Sequence, residues 1–165
     1  RPADAIAAVD KRLRRLYVSA VQSELFNGVL ARRIDTLDTV QPGDWAKKVD
    51  TGGVFLVEDA AAAAVRAAAG EIHPTGPIFG HRSRLAEGAP GRIERAVLEA
   101  GGLSLEAFAA PGAKAKGTRR ALRFLAGAPR VEAGADARGS YVELTFTAPA
   151  GSYATVLLRE VMKGE

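Results

Sequence analysis

The sequence contains no cysteine. No disulfide framework, thiolate metal site or cysteine nucleophile can be built from it. That absence suits a reducing cytosol, and the expected location is cytoplasmic. Histidine is nearly absent too, with only His73 and His81. A three-histidine zinc site is therefore excluded within this chain, and a serine–histidine triad is disfavoured. No apolar run approaches the ~18–20 residues of a membrane span, so no membrane partner is expected. None of the glycine-containing turns has P-loop spacing, which leaves nucleoside triphosphate binding without support. No internal repeat recurs at solenoid spacing. The chain opens on Arg1, with neither a methionine nor a signal-peptide layout. This start reads as a fragment or a processed chain.

What is present is an ordinary globular composition. The 165 residues are 47% hydrophobic and 25% charged, enough to bury a core. The net charge of +4 is less informative than its distribution. Residues 114–130 carry Lys114, Lys116, Arg119, Arg120, Arg123 and Arg130 without a single acid. Lys11, Arg12, Arg14 and Arg15 form a second cluster. Such clusters can contact phosphates and release counterions; they also suit a solvated, basic surface loop.

Along the chain, Val18, Val21, Leu25 and Val29 recur at three- and four-residue steps. Phe26, Leu30 and Ile34 widen the stripe, which predicts an amphipathic helix over 16–34. Asn27-Gly28 is unfavourable inside it. Gly28 can allow close packing, and Asn27 can hydrogen-bond inward. A turn follows at Pro42-Gly43-Asp44. Val54–Val57 reads as a strand. The alanine-rich stretch after Glu58-Asp59 reads as a helix ended by Gly70. The segment "IHPTGPIFGHRS" reads as a proline- and glycine-rich loop, with His73 and His81 as loop or surface histidines. Residues 91–99 predict a helix closed by Gly101-Gly102, and Ser104 can cap a short helix after it. Near the end, Val142, Leu144 and Phe146 alternate with polar residues as in a half-buried strand. Residues 130–133 pair with it, and a last helix follows with Ser152 as N-cap. Helices and strands in this order predict an α+β fold.

Five stretches resemble the TruD family of tRNA pseudouridine synthases. They are "YVSAVQSELFNGVLARRI" (17–34), "PGDWAKK" (42–48), "HPTGPIFG" (73–80), "GTRRAL" (117–122) and "PAGSYATVLLREV" (149–161). They occur in the family's order over nearly the whole chain. The resemblance implies an RNA-modifying isomerase that converts uridine to pseudouridine in tRNA, at position thirteen. It implies a family-specific insertion domain over residues 1–125 and the last strand and helix of the catalytic core over 126–165. It implies tRNA as partner, no cofactor or metal, and a monomeric full-length enzyme. The family's catalytic aspartate lies upstream, in a glycine-Lys-Asp-like motif that this chain lacks. Asp4, Asp10, Asp35, Asp38, Asp44, Asp50, Asp59 and Asp136 all stand in other contexts. The isolated chain is therefore expected to be inactive.

The reaction breaks a glycosidic bond, rotates the base and rejoins it through carbon, so the base must leave the RNA stack. A buried carboxylate doing this work is kept ionised by an arginine, and an aromatic ring packs on the base. By resemblance, Arg159 is the partner of the absent aspartate and Tyr153 contacts the target base. Six residues apart, they fall about 120° apart around a helix. Arg119 and Arg120 are candidate phosphate contacts, or braces between the two domains. The competing expectation is a non-catalytic tRNA-binding module. If a missing core covers part of this chain, apolar surface is expected at Val142, Leu144 and Phe146.

Overall fold

The computed structural model describes residues 8–163. They form two compact units, one ending at Arg123 and the other starting at Phe124. Helices and strands are mixed in each, so the fold is α+β. No helix among the described residues is long and apolar enough to cross a membrane.

The first unit opens with α1 (Lys11–Arg32). Asp10 caps it, accepting bonds from the backbone N–H groups of Arg12 and Leu13. Its buried stripe is Leu25, Phe26 and Val29. Gly28 has a packing reason: a Cβ there would sit 3.2 Å from a methyl of Val97. Asn27, by contrast, is exposed and does not bond inward. After α1 come β1 (Trp45–Lys48), β2 (Val54–Leu56), α2 (Ala60–Ala68), β3 (Ile72–Ile78), α3 (Gly88–Ala100) and β4 (Thr118–Ala121). Asp59 caps α2 through the N–H groups of Ala61 and Ala62. The four strands form one antiparallel sheet in the order β2-β1-β3-β4.

The segment expected to be a loop, "HPTGPI", is thus part of the buried strand β3, inside the sheet. Prolines rarely occupy a middle strand because they lack an N–H. Here each is in register with one neighbour only: Pro74 with Ala46 of β1, Pro77 with Arg119 of β4. Gly76 adds a close approach, since a Cβ there would meet Leu122 at 2.9 Å and Phe26 at 3.1 Å.

Two hydrophobic clusters hold the unit. Leu25 and Val29 of α1 pack with Val97 and Leu98 of α3, Phe79 and Phe108. Ala46, Val57 and Ile72 pack with Ala63 and Ala67 of α2 and Val40. Between α1 and β1, the buried Arg33 guanidinium donates to both carboxylate oxygens of Asp44, at 2.8 and 3.1 Å. Asp44 also accepts from the Gln41 N–H at 2.8 Å, so a turn residue becomes a buried anchor.

The second unit is a hairpin and a helix. β5 (Gly127–Asp136) pairs antiparallel with β6 (Gly139–Thr147), and α4 (Ala154–Met162) follows. Residue 153, rather than Ser152, occupies the N-cap position of α4. Tyr141 lies across from Gly134, where a Cβ would strike its ring. None of the described residues of this unit is buried. Val142 is 70% exposed, while Leu144 and Phe146 are half-buried.

Candidate nucleic-acid interface

The basic stretch is not a loop at residues 118–121 but strand β4. Successive side chains of a strand point to opposite faces. Adjacent arginines on β4 therefore cannot share one phosphate face.

Arg119 turns inward. Its Nη2 donates to Glu94 Oε1 at 2.5 Å and to the Thr75 carbonyl at 2.8 Å. Its Nε donates to Thr75 Oγ1 at 2.7 Å, and Nη1 to the Arg84 carbonyl at 3.0 Å. Only 9% of the Arg119 side chain and 2% of Glu94 remain exposed. These donors are used within the unit, where Arg119 braces β3, α3 and the Arg84 backbone. Arg120 is exposed and its guanidinium lies 5.4 Å from the Phe26 ring centroid, a cation–π arrangement.

The same network fixes the segment 82–86. Arg119 holds the Arg84 carbonyl. Trp45 Nε1–H donates to the Leu85 carbonyl at 3.2 Å. Glu94 Oε2 accepts from the Ala86 N–H at 2.7 Å. Upstream, the His81 and Arg82 N–H groups donate to the carbonyls of Ala115 and Lys116 at 2.9 and 3.0 Å. His81 Nδ1 also lies 2.8 Å from the Ala115 carbonyl, which makes this histidine a loop anchor. Three consecutive residues are thus pinned by three different side chains. Sequence reading missed this role of Trp45 and Glu94, because Leu85 lies forty positions from Trp45 and nothing local marks the eight-residue contact of Glu94 with Ala86.

His73, expected in a surface loop, is buried on β3. Arg123 Nε donates to its Nδ1 at 3.2 Å, while Arg123 Nη2 donates to the Ala67 carbonyl. Burial, and then the Arg123 charge, hold the His73 pKa below its ordinary value.

In the second unit, Tyr153 is 63% exposed at the start of α4. Arg159 is exposed in the last turn, and no side-chain partner binds it among the described residues. Tyr153 is the extended N-cap residue, outside the helical turns that carry Arg159, so the spacing of about 120° expected for two residues within one helix does not describe the pair.

The described aspartates divide into structural roles. Asp10 and Asp59 cap helices, Asp44 is paired with Arg33, and Asp50 and Asp136 accept from nearby backbone N–H groups. Asp35 and Asp38 are exposed. Asp4 lies outside the described residues. No group of three or more histidine or acidic residues suited to a metal occurs among the described residues.

The family model for tRNA pseudouridine synthase D (TruD) matches residues 2–161. This chain belongs to the TruD family. It is 51% identical over 168 residues to tRNA pseudouridine synthase D of Geobacter metallireducens, covering 99% of this chain and 41% of that protein. It is 49% identical to the namesake from Geotalea daltonii, covering 96% of this chain and 39% of that protein. Among solved structures, a tRNA pseudouridine synthase D (TruD) crystal structure from Methanosarcina mazei superposes with a TM-score of 0.81 at 33% identity. That match covers 96% of this chain and 40% of the other. The chain thus spans about two-fifths of the length of the relatives it matches.

Proposed function

We propose that this chain is part of an RNA-modifying isomerase that converts uridine to pseudouridine in tRNA, at position thirteen. The observation that carries the reading is the TruD match over residues 2–161, with 51% identity to a relative across 99% of the chain. The first unit is assigned as the insertion domain and the second as the closing segment of the catalytic core. The full-length enzyme is assigned as a monomer that uses no cofactor.

The catalytic aspartate is assigned to a segment outside this chain. The described aspartates support this: each is capping, paired, turn-bound or exposed. Arg159 is the proposed cationic partner that keeps that carboxylate ionised. Tyr153 is the proposed ring that packs on the flipped base. Arg159 lies on α4 and Tyr153 at its N-cap, in a unit none of whose described residues is buried. Arg120 is the proposed phosphate contact of the pair on β4, and Arg119 the residue that fixes the surface beside it.

The test is pseudouridine formation in unmodified tRNA, first with the 165-residue chain and then with the chain joined to the segment proposed to carry the aspartate. Inactivity of the chain alone with activity of the joined form is the expected result. Turnover by the chain alone would place the catalyst among its own aspartates. Retained tRNA binding with no turnover in either form would favour a non-catalytic binding module.

A further inference from the structure

Beside the pinned segment lies a cleft of about 280 Å³, lined by Trp45, Val54, the segment 82–84, Gly117 and the first two residues of β4, Thr118 and Arg119. This size approaches the roughly 300–1,000 Å³ of small-ligand pockets. It suits one nucleotide unit rather than a duplex groove.

Its chemistry is one-sided. Arg82, Arg84 and Arg119 line it, with no carboxylate among the lining residues. Arg119 is neutralised by Glu94. Arg82 and Arg84 are exposed, and their guanidinium groups meet no carboxylate among the described residues. They are two residues apart on a segment whose backbone is held at Arg82, Arg84, Leu85 and Ala86. Two cations on a fixed backbone present charge with little ordering cost on binding. Trp45 supplies the apolar element. Its ring is half-buried and tethered through Nε1–H to Leu85. One more polar group stands in the lining: Ser83 Oγ is buried and has no hydrogen-bond partner among the described residues. A buried hydroxyl left unpaired is costly unless something completes it.

We infer that this cleft seats one nucleotide of a single-stranded RNA segment, with its phosphate on Arg82 and Arg84 and its base against Trp45. Arginine is the side chain suited to bidentate phosphate binding, and an aromatic face accepts any base by stacking. The inference rests on the tRNA reading above and deepens it, since it places an RNA contact in the first unit, apart from Tyr153 and Arg159.

Trp45 is the only tryptophan in the chain, so its fluorescence reports this cleft alone. The experiment titrates the full chain with tetrauridylate, uridine monophosphate and inorganic phosphate, and follows binding of whole unmodified tRNA in parallel. Saturable quenching by tetrauridylate is expected, weaker with the mononucleotide and absent with phosphate. The Arg82→Gln/Arg84→Gln variant should bind about tenfold or more weakly, and its log–log salt dependence should be shallower by about 0.7 for each phosphate it no longer neutralises. Trp45→Phe should keep affinity for a fluorescein-labelled tetrauridylate, whereas Trp45→Ala should bind it about tenfold more weakly. Equal binding of the mononucleotide and the tetramer would overturn the RNA seat in favour of a free-nucleotide site. Equal quenching by inorganic phosphate would overturn the base contact. Unchanged fluorescence with intact tRNA binding, unaffected by the arginine changes, would overturn the seat and leave the tRNA reading standing. Failure of the unaltered chain to bind tRNA at all would sink both.

Discussion

Glu94 of α3 and Arg119 of β4 are joined by a 2.5 Å ion pair in which both side chains are at least nine-tenths buried. Each partner also reaches the segment 82–86, Glu94 at the Ala86 N–H and Arg119 at the Arg84 carbonyl. The pair therefore connects a helix, a strand and a surface loop.

Removing one member should leave the other as a buried, uncompensated charge. Glu94→Leu is expected to destabilise the first unit by about 3–5 kcal/mol, and Arg119→Met by a similar amount. Combining the two should cost less than the sum of the single changes. Urea unfolding followed by Trp45 fluorescence measures all three.

Gly80 should tolerate no side chain. A Cβ there would lie 2.2 Å from the Gly117 backbone nitrogen and 2.4 Å from the Lys116 carbonyl carbon. Backbone cannot step aside as a side-chain end can. Gly80→Ala is expected to cost roughly 1–3 kcal/mol or more, read as a lower midpoint in the same unfolding assay. The control is Gly102→Ala, where nothing lies within 4 Å of the added Cβ but φ is +64°, so only backbone strain is felt.

His73 should give the first unit an acid-sensitive component. Its pKa is lowered in the folded state, first by burial and then by Arg123. A depressed folded pKa means the unfolded chain binds the proton more readily. The stabilisation is therefore full above the ordinary histidine pKa of about 6.5, and is lost as pH falls through the lower folded value. Unfolding midpoints should drop more between pH 7.5 and pH 5 in the unaltered chain than in His73→Asn. Parallel curves would remove His73 from the explanation.

Tyr153 and Arg159 are separable in the joined form. Arg159→Met is expected to lower kcat by roughly 10²–10³-fold, the usual cost of removing one charge-stabilising donor. Tyr153→Phe should keep most activity, because the ring is what packs, and Tyr153→Ala should not. Neither change should alter the unfolding of the first unit, where neither residue resides. Single-turnover pseudouridine formation distinguishes these outcomes from weakened tRNA binding.

The helices were legible in the sequence because their signals are local. The Leu25–Phe26–Val29 stripe marks α1, and Asp59 with an alanine run marks α2. The hairpin strand β6 was readable from the alternation at Val142, Leu144 and Phe146. β3 was hidden by its two prolines, whose tolerance depends on where the register of each neighbour ends. β1 and β4 are four residues each, and neither "WAKK" nor "TRRA" shows apolar alternation. The family motif pointed to Arg119 and Arg120 as a pair, but only the strand separates them. One turns to a carboxylate twenty-five positions away, whose burial has no signature in sequence. The cleft escaped for the same reason: Trp45, Arg82 and Thr118 come together only through the sheet and the pinned segment.

That no described residue of the second unit is buried changes what its structure means. A lone hairpin is at best marginal in water, and a helix without an interior gains little beyond propensity. Val131, Val142 and Val156 leave apolar surface exposed on this unit, and a surface that covered them would raise the folded population of β5, β6 and α4, much as a ligand raises the population of the state it binds. Tyr153 and Arg159 sit on that conditional element. Under the proposed function, the ordering of the residues that would handle the base would then be coupled to the covering of that apolar surface.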